Sequence, residues 1–141
     1  MPGRDRRRLE QAFGQTCYRG VVAGERLELR VGQACPALDS RLTEGLGWAW
    51  LTAVNPGGES LPDAENAARL ASLRAVLGGT RIECWPGEAV ADDGSWPAEP
   101  GIVLVNVSLA AALAIAADFG QAAILWSDGG NPARLEWPAS P

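Results

Sequence analysis

The feature that most constrains this chain is the run Trp48-Ala49-Trp50-Leu51-Thr52-Ala53-Val54, followed by Asn55-Pro56-Gly57-Gly58. Thr52 is the only polar side chain before the turn residues. Side chains alternate along a strand, so Trp48, Trp50, Thr52 and Val54 share one face, and Ala49, Leu51 and Ala53 share the other. Two apolar faces must both be covered, which predicts an interior strand. A short buried helix shows the same pattern, but two tryptophans, a threonine and a valine favour a strand. Pro56 has no N–H for a ladder and pushes Asn55 out of the helical region. Asn55 can also bond its own backbone in a turn. The strand therefore stops in a polar turn.

The other elements follow from periodicity and capping chemistry. Residues 1–15 are charged, with Leu9 and Phe13 at i,i+4 spacing, and predict a short helix or arm. Residues 17–22 and 25–31 predict two strands around Ala23-Gly24. In the second, Leu27, Leu29 and Val31 oppose Arg26, Glu28 and Arg30, which suits a hairpin with one wet face. Residues 36–44 predict a short helix ending at Gly45. Ser60 and Asp63 have capping-box spacing, and Pro62 suits a first turn. That helix is expected to reach Leu77 and stop at Gly78-Gly79. Leu70, Leu73 and Leu77 form its apolar stripe, and Asn66 lies on the stripe at its N-terminal end. A buried amide needs partners, and the nearest polar groups are those of residues 52–55.

Residues 80–85 predict a strand, Pro86-Gly87-Glu88 a turn, and residues 91–100 a loop. Residues 101–107 are apolar on both faces and predict a second interior strand. Ser108 can cap the Ala-rich helix that follows, and Gly120 can close it. Residues 121–126 predict a last core strand, and residues 134–137 an edge strand pairing back. The order after Gly47 is strand, helix, strand, strand, helix, strand, which is the split pattern of a ferredoxin-like plait. The expected fold is α+β: a two-layer α/β sandwich with helices on one face. It would have a ferredoxin-like βαββαβ core and an added N-terminal hairpin and short helix. A single domain over residues 1–141 is expected, with residues 1–15 as helix or arm and residues 17–137 as the globular core.

Composition narrows the chemistry. Histidine and lysine are both absent, so the commonest general base, the commonest metal ligand and Schiff-base chemistry are excluded. A net charge of −5 argues against nucleic acid as the main partner. The three cysteines, Cys17, Cys35 and Cys84, contain no C-x-x-C, so neither a disulfide framework nor a zinc site is expected. No apolar segment follows the N-terminal arginines as in a signal peptide, and the alanine run is far short of a membrane span. A cytoplasmic protein with no cofactor and no metal is the expectation.

Six polar residues stand out: Thr52, Asn55, Asn66, Arg69, Glu99 and Gln121. The uncharged ones lie at or near the ends of predicted core elements, where α/β sheets often bind ligands. One reading is a pocket for a small polar ligand, with Arg69 against an anionic group and Glu99 against a donor. The other is a structural network pinning the turn to the helix and the last strand. Glu88, Asp92, Asp93 and Glu99 offer an acid–base pair or a cation site, but no calcium-loop spacing is present. Six tryptophans leave room for an aromatic binding platform. The Ala-rich helix suits close packing on the sheet, or a homodimer face.

Four motifs occur in order: Thr52-Ala53-Val54-Asn55-Pro56, Glu65-Asn66 with Arg69, Trp96-Pro97-Ala98-Glu99, and Phe119-Gly120-Gln121-Ala122-Ala123. Together, over residues 18–137, they resemble a bacterial family catalogued as domain of unknown function 3293. The chain departs from that family's pattern at Val54, Ala89 and Ala122. The resemblance implies a fold grouping and brings no activity, substrate or cofactor. The functional expectation is a small cytoplasmic domain that binds a small polar ligand or a protein partner, without membrane contact. A small histidine-independent enzyme using Asn, Glu and Arg groups of the same pocket is the alternative.

Overall fold

The Trp-rich strand, β3 (Gly47–Leu51), is buried at every position and lies inside the sheet. The computed structural model describes residues 2–139, with side chains from Arg6 onward. The chain runs α1 (Pro2–Gly14), β1 (Thr16–Val22), β2 (Glu25–Leu29), α2 (Pro36–Asp39), β3, a 3-10 turn at Pro56–Gly58, and α3 (Asp63–Gly78). It continues through β4 (Glu83–Ala91), β5 (Glu99–Val107), α4 (Leu109–Asp118), β6 (Ile124–Ser127) and β7 (Arg134–Glu136). This is a mixed α+β arrangement on one sheet of order β2-β1-β4-β5-β3-β6-β7, antiparallel at every pairing. β3 and β4, joined through α3, lie on either side of β5. β5 and β6, joined through α4, lie on either side of β3.

Alternation along β3 and β5 divides the core. Ala49, Leu51, Ile102 and Leu104 face α3 and α4, meeting Leu70, Leu73, Leu77, Ala112 and Ala116. Trp48, Trp50, Val103 and Val105 face the other way, meeting Tyr18, Leu29, Leu38 and Leu125. Helices therefore do not lie on one side alone. α3 and α4 cover one face, while Leu38 of α2 and Phe13 of α1 pack against the other. The second face needs this cover because two indoles stand on it. Trp48 Nε1 donates to Asp39 Oδ1 at 3.0 Å, and Gly130 N donates to Asp39 Oδ2, so α2 is tied down over the ring.

Several elements differ from the sequence reading. β3 ends at Leu51, opposite Ile102, and Thr52, Ala53 and Val54 stay buried outside the ladder. Helix α2 covers only Pro36–Asp39 and does not reach Glu44. The reason is Asn106, which accepts from Thr43 N at 2.7 Å and donates to Arg41 O at 3.0 Å, holding that backbone away from helical pairing. Asn106 is itself the extra residue of a β-bulge opposite Gly47 and Trp48, at φ 61°, a conformation that asparagine adopts more readily than most residues. Pro86-Gly87-Glu88 is strand and not turn. β1 pairing with β4 begins at Gly87, so Pro86 lies just beyond it. Ser60 does not cap α3; Pro62 holds the N-cap position, and its carbonyl accepts from Asn66 N. Ser108 caps α4 as expected, accepting from Ala111 N. β7 pairs with β6 at the sheet edge.

Glycines make room for the large rings. A Cβ on Gly101 would stand 2.2 Å from Trp50 Cζ2, and one on Gly87 would stand 2.8 Å from Trp50 Nε1. A Cβ on Gly47 would meet Trp126 at 2.6 Å. Gly101→Ala is therefore expected to lower unfolding free energy by about 1–3 kcal/mol through overpacking, measured by urea denaturation. A neutral result would show that the indole shifts freely.

Candidate functional site

The site begins where β3 leaves the sheet. Residues 52–55 remain buried or half-buried, so their backbone groups require partners that the ladder no longer supplies. Side chains from distant segments supply them. Val54 N donates to Thr52 Oγ1 at 3.2 Å, and Thr52 Oγ1 donates to Pro100 O at 2.6 Å. Asn55 N donates to Asn66 Oδ1 at 2.9 Å. Arg69 Nε donates to Ala53 O at 2.6 Å, and Gln121 Nε2 donates to Val54 O at 3.1 Å. Arg69 Nη2 also donates to Phe119 O, the C-cap carbonyl of α4, where a cation is favoured.

Asn55 is the hub. Its backbone is left-handed, at φ 47° and ψ 61°, which aims its amide inward. Its Oδ1 accepts from Leu61 N at 2.9 Å and from Asn66 Nδ2 at 2.8 Å, and its Nδ2 donates to Glu99 Oε2. All six residues singled out from the sequence thus enter one connected set of bonds around residues 52–55.

Beside this network lies a cavity of about 640 Å³ at the C-terminal end of β3. Thr52, Asn55, Asn66, Glu99 and Gln121 line it, and Arg69 does not. The Arg69 guanidinium is engaged with main-chain carbonyls, so it is not presented to an anionic ligand group. Aromatic and apolar residues line the cavity too: Leu9 and Phe13 of α1, Tyr18 of β1, Trp50 of β3, and Trp96 of the loop before β5. The Tyr18 and Trp50 rings lie 4.8 Å apart.

These wall residues were not legible as site residues. Trp50 reads as core, which it also is, at 5 % exposure. Leu9 and Phe13 read as a surface-helix pair. Nothing in local spacing links Tyr18 to residue 99. Only Trp96, inside the Trp96–Glu99 motif, carried a sequence signal. Of the other tryptophans, Trp48 and Trp126 are buried, Trp85 lies near Arg41, and Trp137 lies near Phe13 and Arg6.

Burial pushes the Glu99 carboxyl above its ordinary value, and the Asn55 hydrogen bond opposes this. Burial also raises the Tyr18 phenol strongly; the Thr16 side chain works against the rise, and the Glu99 charge adds to it. The acidic residues of β4 and the turn after it have separate partners. Asp92 forms a two-point pair with Arg30 at 2.7 and 2.9 Å, and Glu88 lies 3.7 Å from Arg19. Among the described residues no three His, Cys, Asp or Glu side chains gather as a metal site.

The family model described as Protein of unknown function (DUF3293) matches residues 51–124, more than half of the chain. The chain belongs to the DUF3293 family. All six polar residues fall inside the matched DUF3293 segment, whereas Leu9, Phe13, Tyr18 and Trp50 precede it. No curated protein and no solved structure matches the chain.

Asn66→Ala in this DUF3293 chain removes the acceptor for Asn55 N and a donor to Asn55 Oδ1. It is expected to lower stability by about 1–3 kcal/mol, read by urea unfolding; no loss would show that water replaces the amide. Glu99 supplies a pH test. Its folded pKa lies above the unfolded one, so its contribution is fully present at low pH and is lost as pH rises through the folded value. Glu99→Gln cannot ionise. It is expected to melt higher than wild type at neutral pH, with the gap closing as pH falls to about 4. A gap independent of pH would contradict this assignment.

Proposed function

We propose that the chain is a small-molecule binding domain whose ligand occupies the cavity at the end of β3. The observation that carries this reading is the combination of an apolar aromatic wall with converging polar groups around about 640 Å³. Ligand sites typically span about 300–1,000 Å³ and have this make-up. The hydrogen-bond network is part of the same device. It holds Asn55 and Glu99 in position before any ligand arrives, which lowers the ordering cost of binding.

A ferredoxin-like core accompanies this reading. Its support is the placement of β5 between β3 and β4, and of β3 between β5 and β6, with α3 and α4 on one face. A cytoplasmic setting accompanies it too. Cys17, Cys35 and Cys84 are free thiols, which suits a reducing compartment. Among the described residues no helix is long and apolar enough to cross a membrane.

The test is a fragment screen by ligand-observed NMR on the full chain and on Ala67→Trp. Ala67 is exposed on α3 and lines the cavity, so a large ring there narrows the space at little cost to folding. Fragments that bind wild type are expected to weaken about tenfold or more, roughly 1.4 kcal/mol, in Ala67→Trp. Equal binding to both proteins, or no binding fragment at all, would defeat the reading.

A further inference from the structure

The cavity's charge and walls define the chemical class of its occupant, an inference that rests on the binding reading above. Among the described residues, Asp63 and Glu99 are the only charged ones that line it, and no arginine does. The donors of the polar wall are largely engaged within the protein. Thr52 Oγ1 donates to Pro100 O, Asn66 Nδ2 to Asn55 Oδ1 and Leu61 O, and Gln121 Nε2 to Val54 O and Phe119 O. Among the described residues Glu99 has no cationic partner within ion-pair distance, and its one hydrogen-bond partner is the Asn55 amide, on Oε2. Its Oε1 and the Gln121 carbonyl oxygen remain as acceptors. Trp50 Nε1 is a buried donor without a partner, but it lies beside Gly87, which does not line the cavity.

A half-buried carboxylate without a counter-charge is costly to keep ionised. Phe13, Tyr18, Trp50 and Trp96 line the same cavity, and aromatic ring faces attract cations. We propose that the cavity takes a small organic cation: an amine whose ammonium group meets Glu99 and whose apolar body lies against the aromatic wall. Burial of Glu99, which raises its pKa, fits the same picture, because a bound ammonium supplies the charge that would hold the carboxylate ionised. Among the described lining residues, the only charges that an anionic ligand would meet are the two carboxylates.

The test uses three probes of nearly equal size, benzylamine, benzyl alcohol and benzoate, titrated calorimetrically into the full chain at neutral pH. Benzylamine is expected to bind about tenfold tighter than benzyl alcohol, with benzoate weakest, through a charge-assisted hydrogen bond and ring contacts. Glu99→Gln is expected to bring benzylamine to within about threefold of benzyl alcohol. If Glu99→Gln does not fold, the order of the three affinities in wild type decides the matter. Equal affinities, or tighter benzoate, would overturn the cation assignment and leave the binding cavity standing. A benzylamine preference that persists in folded Glu99→Gln would also overturn it. No binding of any probe would also overturn the cation assignment, while the binding reading is decided by the fragment screen.

Discussion

Four backbone groups that leave the sheet while still buried dictate the rest of this structure. Val54 N, Asn55 N, Ala53 O and Val54 O have no strand partner once β3 stops at Leu51. Each is met by a side chain: Thr52, Asn66, Arg69 and Gln121 respectively. Unpaired burial of one such group costs about 1–3 kcal/mol, so a chain that omitted these partners would lose much of an ordinary domain's stability. The same bonds bring the start of α3 and the end of α4 to one place. The network is thus structural, and it also forms one wall of the cavity.

A second constraint is steric. Trp48 and Trp50 occupy alternate positions of one strand, so both indoles lie on the same sheet face. Gly87 and Gly101 lack the Cβ atoms that would collide with Trp50, and Gly47 leaves space for Trp126 on the other face. Close-packed interiors leave little slack, so these glycines matter as much as the rings. Trp50 also connects core to site: its ring belongs to the buried cluster and to the cavity wall.

The polar half of the site was legible because it follows local rules. A turn after a buried strand, and an amide on a leucine stripe, each announce a group that needs a partner. Asn55 and Asn66 sit in that relation and bond each other directly. Arg69 reads from sequence either as a partner for an anionic group or as part of a structural network, and its bonds to Ala53 O and Phe119 O belong to the network. The two carbonyls it meets belong to segments far apart in sequence. The aromatic half was hidden for a similar reason. Phe13, Tyr18 and Trp96 come from a helix, a strand and a loop that sequence spacing does not relate.

By itself the sequence determined the order and kind of most elements, the burial of Trp48–Leu51 on both faces, and the residues able to satisfy a turn. Those properties depend on alternation, helical periodicity and capping, which act over a few positions. Only the tertiary structure decided that α2 stops after Asp39, that Pro86 and Gly87 continue a strand, and that an open volume remains beside Asn55. Those outcomes depend on contacts across the sheet: Asn106 with Arg41 and Thr43, Gly87 with Trp50, and α1 against the strands. Such contacts link residues tens of positions apart. The competition between local preference and long-range packing is settled only when every element is in place.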